Sequence, residues 1–512
     1  MKNLNKLAYL LISLFLWTSC SKDYLDTKPT AQTATSTIFE TTDNAALAVN
    51  GINKLMTLQY LGTQGFNGEG TIKMYYGNYP GNHFYVNLPG WAPIINSDYH
   101  ENVSSIYDYY PWYYYYMIIG NANFINANIK NAKGTDVDKQ FIQAQALTYR
   151  AYSFLMLSQL YCKRWSDSNN GASDGLVLRT DVSTSEMALS TLKQVYEQIY
   201  KDLDEAITLY TSSGKSRSNN YDPDKNVAYA IYARAALTRQ DYNTAAAMAV
   251  NARTGYALMS NTEYKAGFFT PNKEWIWSSY GASDETLYFY SYFSYIAYNS
   301  SASSVRTYPK CISKELFNKI PTTDVRRSLF LDPTGYTYTT STGLAGSALK
   351  TRAFTLFPNL YSTASAYAYM QFKIGAADLP GVGNLNHFRS SEMYLIEAEA
   401  RYFTSNASGA QQALVTLNKD SGRDPSYTCT KTGTSLLDEI KTYRAIELWG
   451  EGFDWFDLKR WGDSVNRKSY ASGGNFVSTL DVTYGPIEKN NWVWKIPQKE
   501  TDYNKLIVTT PN

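Results

Sequence analysis

Residues 227–253 read VAYAIYARAALTRQDYNTAAAMAVNAR. Two alanine-rich runs at helical spacing, Val227 to Arg239 and Asp241 to Arg253, meet at Asp241-Tyr242-Asn243. Alanine has the highest helix propensity, and small side chains on facing helices let the two backbones approach closely. The stretch therefore predicts a tightly packed helix–turn–helix, and it sets the fold class for the regions around it.

The same form recurs on both sides. Phe141 to Tyr161 places Ala144, Leu147, Ala151, Phe154 and Leu155 at helical spacing. Thr191 to Tyr210 carries one apolar stripe, Leu192, Val195, Tyr196, Ile199, Leu203, Ile207 and Tyr210, and Thr191 with Gln194 supplies a capping-box start. Ser391 to Phe403 and Ala410 to Asn418 form a later pair, with Ala398, Ala400, Ala413 and Leu417 facing inward. Each pair resembles a tetratricopeptide unit, but the spacing between pairs is irregular, so the repeats are interrupted by insertions.

The interruptions are residues 62–112 and 255–390, rich in Gly, Asn, Ser, Thr and aromatics, with no sustained 3.6 period. They read as long, partly ordered loops with minor β structure, and Glu274 to Tyr280 could form a short strand. Loops of that length in a compact protein are usually functional, and this aromatic content argues against disorder.

With 512 residues the chain can bury a large core. Lys plus Arg number 47 against 45 Asp plus Glu, a net charge of +2, and no basic run gives nucleic acid an electrostatic footprint. A mean hydropathy of −0.38 describes a soluble body. At the N-terminus, Lys2 and Lys6 precede an apolar run from Leu7 to Trp17, too short to span a bilayer and suited to a signal peptide over 1–19. Thr18-Ser19-Cys20 resembles a lipobox, with Trp17 departing from the usual aliphatic residue, so Cys20 is the expected lipidation site. Ser21-Lys22-Asp23 resembles the export tag of surface lipoproteins. Residues 20–37 read as a Thr-rich tether and 38–512 as a single domain. Cys162, Cys311 and Cys429 remain, too few for a disulfide framework.

Motifs for catalysis are sparse. His83, His100 and His387 are scattered, with no HExxH or Cys cluster, so no metal site or cofactor is expected. Gly214-Lys215-Ser216 ends like a phosphate loop, but Leu209 stands where its first glycine is required. Asp167 to Gly171 hints at a calcium loop, yet its glycine is one place early and Leu178 cannot ligate; a solvated turn fits better. Glu447 and Glu451 share a helical face near Asp454 and Asp457, as a glycosidase pair would. Arg444, Lys459 and Arg460 lie in the same segment, and charge pairing in a packed helix end explains the cluster without catalysis.

Forty-six residues are tyrosine, dense at Tyr107 to Tyr116 and Tyr288 to Tyr298. Tyrosine offers an apolar face and a polar tip at small entropy cost, which suits wet recognition surfaces. A pyranose, with its apolar C–H face and polar rim, matches that chemistry. The period assigns Trp112, Tyr115, Tyr116, Ile119 and Phe124 to a helix core. Tyr75, Tyr76, Tyr79, Asn82, His83, Tyr85 and Trp91 are interleaved with Gly and Pro, and such a loop is expected to expose some of its rings. Tyr288, Tyr290 and Tyr292 alternate as on one face of a two-sided strand, and Tyr295 comes soon after. These loop residues are the candidate ligand-binding set.

Several segments together resemble the SusD/RagB family of outer-membrane nutrient-binding lipoproteins. They are the lipobox with DYLDTKP at 23–29, YYMIIGNAN at 115–123, RAYSF at 150–154, SEMYLIEAEA at 391–400, and IPQKE at 496–500. The most specific is ELWGEGFDWFDLKRWG at 447–462, which departs from the family at Phe453-Asp454, commonly His-Arg. The resemblance implies a mainly α fold of about four tetratricopeptide-like helix pairs, with the insertions building a shallow ligand site and no catalysis. It also implies capture of oligosaccharide or polysaccharide at the cell exterior and a TonB-dependent SusC-like β-barrel partner. Peptide capture within the same family is the alternative, and a glycoside hydrolase at Glu447 and Glu451 is another. Ligand residues of the family lie in its variable loops, so none carries over.

Overall fold

A computed structural model describes residues 35–60, 65–282 and 291–509. Ten helices build the scaffold among the described residues: α1 (Thr42–Leu55), α2 (Ile106–Asn128), α3 (Asp136–Tyr161), α4 (Leu192–Ser213), α5 (Lys225–Thr238), α6 (Tyr242–Ala252), α7 (Ser390–Phe403), α8 (Ala407–Val415), α9 (Gly433–Glu447) and α10 (Asp454–Trp461). Each packs on its neighbour along the chain from α1 to α8, and α7 also packs on α9. They fall into four pairs, α1/α2, α3/α4, α5/α6 and α7/α8, which agrees with the expected number of about four, although α1 was not read from the sequence.

Local chemistry explains the boundaries. The Thr191 hydroxyl accepts from the Gln194 N–H (3.3 Å) while the Gln194 side chain accepts from the Thr191 N–H (2.8 Å), closing the capping box of α4. Asp241 caps α6 after Gln240, which turns the chain at φ 64°. Ala228, Ala230, Ala233, Ala235 and Ala236 of α5 are buried with Ala245, Ala249 and Ala252 of α6, so this pair meets through methyl groups. Asn169, Asn170 and Gly171 all have positive φ, and the calcium-like stretch is a turn.

Sheet structure is minor. Strand β1 (Phe84–Val86) pairs antiparallel with β3 (Lys310–Ile312), and β2 (Trp275–Ser279) pairs antiparallel with β4 (Leu385–Arg389). The strand expected near Glu274 is therefore β2. Strand β4 runs straight into α7, which fixes Arg389 at the junction.

Arg389 is the hub of a buried ionic lattice. It pairs with Glu274 (2.7 Å), Glu447 (2.7 Å) and Glu451 (2.8 Å). Arg326 pairs with Asp324 (2.6 Å) and Glu447 (2.8 Å), Arg423 with Glu274 and Glu447 (both 3.1 Å), and Lys373 with Glu451 (2.6 Å). Four cations thus meet four carboxylates. Burial alone would raise the Glu447 pKa, but Arg423, Arg389 and Arg326 hold it well below the usual carboxylate range. Charge pairing does explain the Glu447/Glu451 cluster, though its partners come from distant segments. Of the local cations, Arg444 and Arg460 pair with Asp457 instead (2.7 and 2.8 Å), and Lys459 donates to the Gln159 and Cys162 carbonyls at the end of α3.

The inner face of the dense tyrosine run is core, and it has a polar purpose. Tyr114, Tyr115 and Tyr152 donate to the buried Glu69 carboxylate at 3.2, 2.9 and 2.9 Å. Trp112, Tyr115 and Ile119 are buried, whereas Tyr116 and Phe124 are half-buried, and Tyr110 and Tyr114 take the remaining inner positions. Cys162, Cys311 and Cys429 are free thiols. Among the described residues, no helix is long and apolar enough to cross a membrane, and no group of His, Cys, Asp and Glu is placed to hold a metal.

Candidate functional site

The first candidate segment is helical, and the expectation of a ring-exposing loop is corrected there. Glu69–Thr71 is one α-turn and Ile72–Asn78 continues it with π winding, all of it buried. The cause is close packing on the motif loop at 450–452. A Cβ at Gly77 would lie 2.1 Å from the Gly452 carbonyl oxygen. The Asn78 side chain donates to the Gly450 carbonyl (2.7 Å) and accepts from the Gly452 N–H (2.9 Å). Tyr76 and Tyr79 are each 1% exposed and Tyr75 5%. The Tyr76 hydroxyl donates to the Tyr107 carbonyl (2.6 Å).

Tyr85, in β1, is buried against Phe476. Tyr292 begins a short helix, Tyr292–Ile296, whose first turn is capped by the Ser291 hydroxyl accepting from the Ser294 N–H (3.2 Å). The two-sided strand expected here does not reach Tyr292, and its hydroxyl donates to the Gly450 carbonyl (2.6 Å). Cys20, Tyr288 and Tyr290 lie outside the described residues.

The fold nevertheless brings the two aromatic segments together. The Tyr75 hydroxyl donates to that of Tyr295 (3.3 Å). Trp91 sits against Tyr75, Tyr79 and Tyr295 at 5.6, 5.7 and 5.9 Å between ring centroids. Trp91 alone of these four is half-buried, and it comes after the exposed Pro89-Gly90 turn. Beside it, Tyr107 packs against Tyr75 (5.8 Å) and stacks on Tyr99 (4.7 Å, 13° between planes). Both Tyr99 and Tyr107 are half-buried. Further along α2, half-buried Tyr109 and Tyr113 gather around Tyr60. The result is a semi-exposed aromatic face backed by a buried one. Burial pushes the Tyr107 hydroxyl pKa up, and burial with Tyr60 pushes Tyr109 up to about 12, so both hydroxyls stay neutral at ordinary pH.

Tyr60, Tyr99, Tyr107, Tyr109 and Tyr113 were not among the sequence candidates. Helical phase was a signal for only two of them: Tyr109 and Tyr113 lie with Tyr116 on one face of α2, about a third of a turn from Tyr110 and Tyr114, whereas Tyr107 falls on the side of Tyr114. Asn82 and His83 are half-buried elsewhere. The Asn82 side chain is tied to Ser464 and Asn466, and the His83 N–H donates to the Asp454 carboxylate (2.6 Å). They border a cavity of about 250 Å³ between α9 and α10, separate from the Trp91 face.

Residues 23–237 match a family model described as SusD-like, starch-binding associating with outer membrane, and residues 381–512 match the SusD family model. Among solved structures, a SusD-like carbohydrate binding protein from Bacteroides vulgatus superposes with a TM-score of 0.75 at 22% identity, covering 92% of this chain and 98% of that one. A SusD superfamily protein from Bacteroides thetaiotaomicron gives 0.73 at 23% identity, covering 92% and 100%. A putative sugar binding protein from Bacteroides vulgatus gives 0.72 at 22% identity, covering 92% and 99%. No curated protein sequence matches. The two family matches span well over half of the chain, and the fold agrees with all three structures: the chain belongs to the SusD/RagB family.

Proposed function

We propose that the protein captures oligosaccharide or polysaccharide outside the cell, held to the outer membrane through Cys20 after removal of residues 1–19, and passes it to a TonB-dependent SusC-like transporter. In this reading residues 38–512 act as one ligand-binding domain. The observation that carries it is the semi-exposed aromatic face of Trp91, Tyr99 and Tyr107 on a chain of this family. Flat rings take the C–H face of a sugar, and the tyrosine hydroxyls reach its rim. The charges beside Tyr99 are paired, Lys489 with Asp98 (2.7 Å) and Lys495 with Glu101 (3.8 Å), which suits a neutral glycan better than a charged peptide.

Hydrolysis draws no support from Glu447 and Glu451. Every carboxylate oxygen of the pair accepts from Arg389, Arg326, Arg423 or Lys373, which leaves no acid–base pair and no place for a water between them.

Trp91→Ala tests the reading by isothermal titration of the full chain against a polysaccharide panel. Loss of one ring contact worth about 0.5–1.5 kcal/mol weakens binding roughly two- to ten-fold. Unchanged affinity for a glycan that the wild type binds would discard this face, and failure of the wild type to bind any glycan would discard the function.

A further inference from the structure

We propose that the cavity between α9 and α10 is a second site, which binds a single uncharged sugar ring. The proposal rests on the reading that the protein handles glycans, and is independent of the Trp91 face. At about 250 Å³ the cavity is smaller than drug-sized pockets of roughly 300–1,000 Å³, so it admits one ring and no chain. Its walls include Phe84, Leu316, Leu448 and Phe453, an apolar lining for a C–H face.

Two polar groups border it with capacity to spare. Arg444 is 2% exposed, and its Nε donates to Asp457 (2.7 Å), yet its buried Nη1 has no partner among the described residues. A buried guanidinium N–H left unmade is expensive, and because this one is closed off from solvent a ligand oxygen would meet it only once the side chain shifts towards the cavity. The Asp454 carboxylate takes only the His83 N–H through Oδ2 (2.6 Å), leaving its other oxygen for a hydroxyl donor. Phe453 and Asp454 are the positions where this chain departs from the family's His-Arg, so the cavity's chemistry is its own.

Charge selects the ligand class. Lys319 pairs with Glu315 (3.5 Å), Lys441 with Asp463 (2.7 Å), and Arg444 with Asp457 (2.7 Å). Burial raises the Asp454 carboxyl above its ordinary value. Apart from Asp454, the lining thus presents its charges in pairs. A polyhydroxylated ring fits that balance, whereas the carboxylate of an amino acid would find no unpaired cation to meet it.

Trp449 and Trp461 line the cavity, so tryptophan fluorescence reports occupancy. The full chain is titrated with neutral hexoses, pentoses and N-acetylhexosamines, and with free amino acids. A saturable shift with at least one neutral monosaccharide is expected, retained in Trp91→Ala, weakened at least ten-fold by Ala445→Phe, which fills the cavity, and at least five-fold by Asp454→Asn. If Ala445→Phe fails to fold by circular dichroism, Asp454→Asn decides. No saturation with any sugar, saturation with amino acids instead, or full affinity in a folded cavity variant overturns the second site. Loss of monosaccharide binding in Trp91→Ala also overturns it, placing that ligand on the Trp91 face and leaving the proposed function standing.

Discussion

Asp108→Asn should stabilise the protein, and do so more as pH rises. Asp108 lies in the first turn of α2, is 0% exposed, and neither of its carboxylate oxygens has a partner among the described residues. Burial pushes its pKa up to about 9, with Lys495 opposing. In the unfolded chain the value is about 3.9. The folded state therefore keeps a proton that the unfolded chain releases, so the contribution to stability is full below about pH 4 and is lost as pH climbs towards 9. At about 1.36 kcal/mol per unit, the roughly three pH units between the unfolded value and pH 7 give a penalty of about 4 kcal/mol there. No helix-terminus anion, worth about 0.3–1 kcal/mol, is lost, because a protonated Asp108 does not supply one. The asparagine amide is itself buried and unpaired, at about 1–3 kcal/mol, partly offset because the protonated acid suffers similarly. A net gain of about 2–3 kcal/mol at pH 7 remains, shrinking towards zero at about pH 4. Urea unfolding followed by tryptophan fluorescence at about pH 5, 6, 7 and 8 measures it. Parallel pH profiles for variant and wild type, or a less stable variant at the alkaline end, would refute the linkage.

Arg389→Met removes the hub of the ionic lattice and leaves Glu274, Glu447 and Glu451 each short of one buried cation, so a loss of about 3–5 kcal/mol is expected in urea unfolding. Arg389→Lys should rescue little of it, because an ammonium cannot reproduce the fork that spans three carboxylates. Tyr115→Phe deletes one of three hydroxyl donors to buried Glu69 and should lower stability by about 1.5–3 kcal/mol, whereas half-buried Tyr113→Phe should change it by less than about 0.5 kcal/mol. Gly77→Ala should lose about 1–3 kcal/mol, since its Cβ would meet the Gly452 oxygen at 2.1 Å. Gly120→Ala, exposed within α2 with no atom within 4 Å of its Cβ, should gain about 0.5–1 kcal/mol by thermal melt.

The helix pairs were legible because their information is local: alanine content, a 3.6 period and a capping box at Thr191 all fall within one stretch. The helix at Glu69–Asn78 was not. Gly70, Gly77 and Asn78 are poor helix formers, and the segment is held by the 450–452 loop, some 370 residues further along the chain. No window of sequence contains both halves of that contact. The Glu447 cluster fails in the same way. Periodicity puts Glu447 and Glu451 on one face beside Arg444, Lys459 and Arg460, but a charge carries no record of its distant partner. Their counter-ions, Arg389, Arg326, Arg423 and Lys373, arrive from β4, the long insertion and the α8–α9 connection. In α2 the difficulty is different. Aromatic residues occupy inner and outer faces alike, so composition marks the helix without saying which rings look outward.

Those rings are separated by where each hydroxyl goes. Tyr110 donates towards no carboxylate but accepts no less a task, taking its place against the Gly68 N–H (2.7 Å), while Tyr114, Tyr115 and Tyr152 close around Glu69, and Tyr76 and Tyr292 reach backbone carbonyls. Phenylalanine in those places would leave a buried carboxylate or backbone group unmet, so tyrosine is there to satisfy polar atoms that the fold itself buries. Tyr99 and Tyr107 make no side-chain hydrogen bond within the protein among the described residues, although their rings stack face to face. A hydroxyl with no internal task on a half-exposed ring has only solvent or a ligand to bond. Burial and hydrogen-bond partner have to be read together, since Tyr149 is fully buried with no partner for its hydroxyl and half-buried Tyr116 donates to the Val177 carbonyl (2.8 Å); the proposed recognition face is the set of half-buried rings whose hydroxyls have no internal partner.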